Sequence, residues 1–129
     1  MTEKLKGAYP ILPTNDAEGG LPTTLAFLFP TEKEALALCD KARAAGCGLT
    51  IPINTGKHVY SNWTPILNQR GAFNPAFDPF KMEANRDLNR NYSPDMCPKS
   101  LDYLSRAVYL GINPDWDEAA AERIAGCLL

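Results

Sequence analysis

Residues 23–45 read TTLAFLFPTEKEALALCDKARAA, and this stretch predicts the strand and the helix that decide the fold. Residues 23–29 are apolar and aromatic and are followed by a proline, which is typical of a buried strand. Thr31 and Glu34 then match the S/T-x-x-E pattern of a capping box, which satisfies backbone donors at a helix start. Gly46 ends the predicted helix. Four apolar residues recur at helical spacing and predict one buried face: Ala35, Leu38, Cys39 and Ala42.

Shorter elements are predicted on both sides of this unit, and their order sets the fold class. The last helix is predicted to start at a second capping box, formed by Asp115 and Glu118. The order predicts an α+β fold, a small two-layer sandwich whose mostly antiparallel sheet carries helices on one face. The other elements are a helix end over 2–6 closed by Gly7, strands over 8–12 and 48–53, a helix over 97–105 and a strand over 107–112.

The composition is that of a single globular domain over residues 1–129. Hydrophobic residues make up 45% and charged residues 22% of the chain, which argues against a disordered polymer. With a net charge of −2 there is no basic field, so neither nucleic acid nor an anionic membrane is expected as a partner. The apolar runs are far shorter than the roughly 20 residues of a membrane span. The start also lacks the apolar region of a signal peptide, so a cytoplasmic protein is expected.

The four cysteines carry no metal-binding signature. No two of them have CxxC spacing and the chain has one histidine, so no metal site is expected. Cys39 and Cys127 fall on predicted helix faces and are expected to be small core residues. If the domain docks on another, the last helix is also expected to show an apolar patch at Ile124 and Leu128 in the isolated chain, which would then self-associate or be poorly soluble.

Residues 54–94 show no sustained period of either kind, and chemistry is expected in this long loop. The loop holds seven of the nine asparagines, and amide groups with aromatic faces suit a polyhydroxylated ligand such as a sugar. Alternatively, the asparagines form turns and the aromatics fasten the loop to the domain. His58 could donate to a substrate or move a proton, or could be a surface residue. The aromatics are Tyr60, Trp63, Phe73, Phe77, Phe80 and Tyr92.

Three segments in a fixed order resemble a known family. AAGCGL (Ala44–Leu49) closes the predicted helix, WTPIL (Trp63–Leu67) follows His58, and CPKSLDYLSRAVYLGINP (Cys97–Pro114) precedes DWDE. In this order the chain resembles the small C-terminal domain of fold-type I, pyridoxal-phosphate-dependent aminotransferases. The resemblance covers nearly the whole chain and points in particular to the sugar aminotransferases of the DegT/DnrJ/EryC1/StrS family.

The resemblance implies an enzyme that moves an amino group between an amino acid and a keto sugar or cyclitol. Pyridoxal phosphate would be held as a Schiff base by a lysine of a large domain that is absent here. This chain would therefore be inactive alone and would supply no catalytic and no cofactor-binding residue. The large domain of the same polypeptide is the implied partner, and a homodimer is the implied full-length assembly. The implied substrate-binding residues are Asn54, His58, Tyr60, Asn62 and Trp63.

The predicted ends of the chain lie inside helices. The chain opens in the last turn of one helix and closes within another, so we expect a segment of a longer polypeptide. The alternative hypothesis is a stand-alone module without catalysis, whose Asn-rich aromatic loop binds a small ligand or a partner.

Overall fold

The computed structural model describes residues 1–16, 18–20, 23–56, 58–71, 73–88 and 91–129. Within these residues helices are combined with a two-stranded antiparallel sheet, so the α+β class is confirmed. Between the second and fourth helices, the described chain forms 3₁₀ turns and one short helix. The elements are α1 (Thr2–Lys6), β1 (Thr24–Leu28), α2 (Glu32–Ala44), α3 (Thr64–Leu67), α4 (Pro98–Arg106), β2 (Ala107–Gly111) and α5 (Glu118–Leu128).

The sheet joins two segments that are far apart in sequence. β1 and β2 pair antiparallel, so that Leu25 lies opposite Leu110 and Phe27 lies opposite Val108. These four side chains are buried on one face of the sheet, while Tyr109 on the other face is exposed. One face therefore belongs to the core, and the strands predicted over 23–29 and 107–112 are confirmed.

The strands predicted over 8–12 and 48–53 are wrong, because each contributes only a single bridge. Ile11 bridges Phe27, and Thr50 bridges Tyr109. Pro10 directly precedes the first bridge and Pro52 follows the second by two residues, and neither has the N–H donor that a longer ladder needs. Pro52 instead starts a 3₁₀ turn over Pro52–Thr55.

The helix predicted from Thr31 is confirmed, and its two ends are closed as the sequence indicates. The Thr31 side chain accepts a hydrogen bond from the Glu34 backbone N–H at 3.3 Å, and its hydroxyl donates to the Glu34 carboxylate at 2.7 Å. At the other end Gly46 adopts a left-handed φ of 81°. The Cys47 N–H then donates to the Ala42 carbonyl at 2.8 Å, which together with the Gly46 hydrogen bond completes a Schellman motif.

The start of α5 differs from the prediction. Asp117, not Asp115, caps the helix, since its side chain accepts from the Ala120 N–H at 2.7 Å. The Asp115 N–H is instead used in a turn, where it donates to the Asn113 side chain at 3.0 Å. Because this turn occupies residues 113–115, the first helical turn begins later than the S/T-x-x-E-like spacing implied.

The apolar patch predicted on α5 is also absent, because this helix is part of the core. Leu128 is fully buried and Ile124 packs against the core cluster. The expected core cysteines are confirmed for Cys39, which is buried, whereas Cys127 is half-buried and packs against the same cluster. The Tyr9 hydroxyl donates to the Leu128 carbonyl, and its ring meets Phe27 edge-on at 5.9 Å.

The N-terminal helix forms where the sequence predicts it, but it ends differently. The helix predicted over 2–6 is confirmed, but Gly7 has φ −74°, so this end does not use a left-handed glycine. None of the helices in the described ranges has the length and apolarity needed to cross a membrane.

Truncation of Leu128 tests the burial of α5. We expect Leu128→Ala to lower the free energy of unfolding by about 2–5 kcal/mol, because it leaves a cavity in the core. The matched control is Leu129→Ala, since the neighbouring side chain is 53% exposed and should change stability by less than about 1 kcal/mol. Urea denaturation followed by circular dichroism measures both. Equal effects of the two variants would contradict the assigned burial.

Candidate functional site

The first predicted site residue, Asn54, lies within the Pro52–Thr55 turn, and His58 follows it. Asn54 is exposed and lines a cavity of about 280 Å³ against α2, next to Arg43 and Thr50. The other four predicted residues do not line this cavity. His58 is exposed and has a left-handed φ of 56°, two residues after Gly56 with φ 66°. A left-handed φ is uncommon for a residue other than glycine, and the His58 imidazole lies on the surface.

Tyr60, Asn62 and Trp63 follow in a second turn, over Tyr60–Asn62. The Tyr60 hydroxyl accepts a hydrogen bond from the Cys97 N–H at 2.9 Å. Cys97 precedes α4, whose first N–H groups have no partner inside the helix. Tyr60 therefore fastens the loop to the start of α4, which is a structural role that the prediction did not include.

Asn62 and Trp63 leave their side chains available. Asn62 is exposed, and its backbone N–H donates to the Val59 carbonyl at 2.9 Å. Trp63 is 49% exposed and stands directly before α3. The first part of the loop thus presents an amide and a large aromatic face to solvent, which is the combination expected for contact with a hydroxyl-rich ligand.

The middle of the loop divides between the two interpretations of its composition. Asn74 accepts from the Ala76 N–H at 3.0 Å, as a turn residue does. Phe80 meets Tyr92 edge-on at 6.1 Å, so these two rings fasten the loop to itself. Phe73, by contrast, is fully exposed, and Phe77 is 69% exposed. Asn74, Phe80 and Tyr92 therefore have the structural roles that the alternative interpretation predicts. The exposed rings of Phe73 and Phe77 have no such role.

Asp78 is the functional candidate that the sequence interpretation missed. Its side chain is 1% exposed, and Oδ1 accepts from the Phe80 N–H at 3.0 Å. Oδ2 is buried without a hydrogen-bond partner in the described part of the chain and faces the Lys81 ammonium at 3.5 Å. A buried carboxylate oxygen without a donor is unfavourable, and such atoms in native proteins are normally satisfied. The sequence signal was ambiguous, since Asp-Pro is also a common turn pair.

The space beside Asp78 is large enough for a small ligand. A cavity of about 460 Å³ is lined by Asp78, Arg70, Gly71, Phe73 and Lys81. Its lining combines a carboxylate acceptor, two cationic donors and an exposed aromatic ring. Gly71 keeps this wall open, because a Cβ at that position would lie 2.4 Å from the Asp78 Oδ1 atom.

The described residues do not fit pyridoxal phosphate as a Schiff base. The six lysines placed by the structure are all exposed. The cofactor needs a lysine at one end of its ring and an acidic partner for the pyridine nitrogen. Lys81 is the lysine beside the buried Asp78, but it ion-pairs with that carboxylate directly, which leaves no room for a ring between them. No step of cofactor chemistry is therefore assigned to this chain.

Neither a metal-ligand cluster in the described residues nor a known relative identifies the function of this site. Across the described ranges, no group of three or more His, Cys, Asp or Glu side chains is arranged to hold a metal ion. Comparison with protein-family models gave no match, and comparison with curated proteins gave no significant relative.

The Tyr60 anchor gives a direct test of how the loop is held. We expect Tyr60→Phe to lower the free energy of unfolding by about 1 kcal/mol, because the Cys97 N–H loses its acceptor. Limited proteolysis between residues 60 and 97 should also become faster. Tyr103→Phe is the matched control, since Tyr103 is 52% exposed. A Tyr60 variant that matches this control in both measurements would show that the hydrogen bond does not hold the loop.

Proposed function

We propose that this chain is the substrate-side domain of a pyridoxal-phosphate-dependent aminotransferase that acts on a keto sugar or cyclitol. The full enzyme belongs, in this proposal, to the DegT/DnrJ/EryC1/StrS group. A large domain of the same polypeptide supplies the Schiff-base lysine, and the full-length enzyme is a homodimer. The segment described here binds substrate and is inactive alone.

One observation supports the proposal: two of the motif-bearing segments form regular elements in the order predicted from the sequence, although the strand predicted between Gly48 and Ile53 is only a single bridge. Ala44–Leu49 contains the Schellman end of α2. Cys97–Pro114 forms α4, β2 and the start of the turn into α5.

The proposed contribution of this domain is binding and orientation of the sugar. Asn54 and Asn62 offer uncharged donors and acceptors at exposed positions, which suit hydroxyl groups. Trp63 offers half of its surface as an apolar face for a sugar ring. His58 can donate to a substrate oxygen from its exposed position. Tyr60 acts indirectly, by holding these side chains through its contact with Cys97.

The size of the natural protein tests this proposal. We expect the endogenous protein to have an intact mass several-fold above 14.2 kDa and to transaminate a keto sugar with pyridoxal phosphate. In that enzyme Trp63→Ala should raise KM roughly tenfold with little change in kcat, because uniform binding is lost. Phe77→Ala, an exposed aromatic later in the same loop, is the control. An endogenous species of 14.2 kDa, or transamination by the 129-residue chain alone, would overturn the proposal.

The orphaned oxygen of Asp78 favours one alternative, a stand-alone module that binds a small ligand without catalysis. A hydroxyl or N–H of the ligand would satisfy Oδ2, and an anionic group would meet Arg70 and Lys81. A phosphorylated sugar carries both groups. This alternative requires the 14.2 kDa species that would overturn the first proposal.

Calorimetry with glucose 6-phosphate as the probe tests the alternative. We expect Asp78→Asn to weaken binding by roughly tenfold, because the charged acceptor for a hydroxyl is lost. Binding of inorganic phosphate, which depends on the cations, should not weaken. Asp95→Asn, at an exposed loop carboxylate, serves as the matched control. If Asp78→Asn and Asp95→Asn bind the sugar phosphate equally, the cavity is not a sugar site.

A further inference from the structure

Two cysteine thiols from distant parts of the chain lie side by side where α5 crosses the end of α2. Cys47 follows Gly46 in the Schellman motif and is buried, and Cys127 is half-buried in the last turn of α5. The Cys127 thiol lies close enough to the Cys47 thiol to raise its pKa. The Cys127 thiol also donates to the Ala45 carbonyl at 3.4 Å, two residues before Cys47. Both sulfurs therefore occupy one small region of the core boundary.

The backbone holds both cysteines in place. The Cys47 N–H donates to the Ala42 carbonyl at 2.8 Å, so this residue is fixed relative to α2. On the other side Leu128 is fully buried, and Lys41 of α2 donates to the Leu129 carbonyl at 2.5 Å. Neither residue therefore lies in a loose loop: Cys47 is fixed to the end of α2, and Cys127 to the last turn of α5.

We propose that Cys47 and Cys127 form a redox modification site, in which a peroxide converts the two thiols into an intramolecular disulfide. The disulfide joins the C-terminal end of α2 to the last turn of α5. This site is independent of the loop at residues 54–94 and of the aminotransferase proposal.

The difference in exposure between the two cysteines indicates which thiol reacts with the peroxide first. Cys127 is the more accessible thiol. Burial, and then the neighbouring Cys127 thiol, raise the pKa of Cys47 to about 11, so Cys47 remains protonated near neutral pH. The more accessible Cys127 therefore attacks the peroxide first, and Cys47 acts second, as the resolving thiol.

The chemistry balances with one peroxide per disulfide. The Cys127 sulfur attacks a peroxide oxygen, the O–O bond breaks, and Cys127 becomes a sulfenic acid as water, or an alcohol, leaves. The Cys47 sulfur then attacks the Cys127 sulfur, the S–O bond breaks, and the Cys47 proton leaves with the hydroxyl as water. The two thiols lose two electrons in total, and the peroxide gains them.

The other two cysteines provide the controls. Cys39 is buried on α2, and Cys97 is exposed just before α4, where its N–H donates to Tyr60. A Cys39→Ala, Cys97→Ala double variant keeps only the proposed pair. A further Cys127→Ser substitution leaves Cys47 alone and changes a half-buried position rather than the buried one.

The experiment treats the 129-residue chain with hydrogen peroxide and then unfolds it to label free thiols. In the double variant we expect both thiols to become unreactive and the monomer mass to fall by two hydrogen atoms. We also expect Tm to rise by about 10 °C, because the disulfide closes a long loop. Dithiothreitol should reverse all three changes. The Cys127→Ser form should keep its labelled thiol and its original Tm.

Three results would overturn the proposal. The first is that both thiols of the double variant still label after peroxide treatment. The second is a mass gain of two oxygen atoms, which indicates a sulfinic acid at Cys127 and no resolution by Cys47. The third is a disulfide-linked dimer, which would place the reactive thiols on the surfaces of two chains rather than side by side in one.

Discussion

The antiparallel pairing of β1 with β2 is the constraint on which the rest of the structure depends. This pairing joins residues 24–28 to residues 107–111, so the chain between them, which includes α2 to α4, starts and ends at the same sheet. A two-stranded sheet is marginal alone, so the apolar face of Leu25, Phe27, Val108 and Leu110 needs the cover that α2 and α5 provide. Arg106 completes this end of the sheet, because its guanidinium donates to the Phe29 carbonyl at 2.8 Å and to Asp102 at 2.9 Å. Since closure entropy grows slowly with loop length, the fold tolerates an unusually long segment between its strands.

Local signals in the sequence were sufficient for the elements that carry their own boundaries. α2 has Thr31 and Gly46 at its ends, and β1 and β2 are continuous apolar runs. The segments at 8–12 and 48–53 are equally apolar. Whether they form strands depends on pairing with distant residues and on whether that pairing can continue past a proline, and neither can be deduced from the segments themselves. The α5 cap failed for a different reason. Asp115 and Asp117 both match the residue type, and only the turn at Asn113 decides between them.

The candidate site was less predictable than the fold, since burial cannot be deduced from residue type. The resemblance supplied Asn54, His58, Asn62 and Trp63, and the structure leaves their side chains exposed in whole or in part. Tyr60 came from the same motif but is used to hold α4. Asp78 resembled an ordinary turn residue, and only its coordinates reveal a buried oxygen without a donor. The thiol pair was equally hidden, because Cys47 and Cys127 are adjacent only after α5 packs on α2.

The separation of the two strands in sequence also has a kinetic meaning. Helix α2 carries a cap at each end and depends on contacts within a few residues, so it can form early. The sheet must wait until the chain from residue 29 to residue 106 has been brought together, and such non-local pairing slows folding. Until then the apolar side chains of β1 face water, and the backbone groups that pair with β2 have no partner. The folding of this chain is therefore most exposed to aggregation in the interval between the formation of its first helix and the arrival of its second strand.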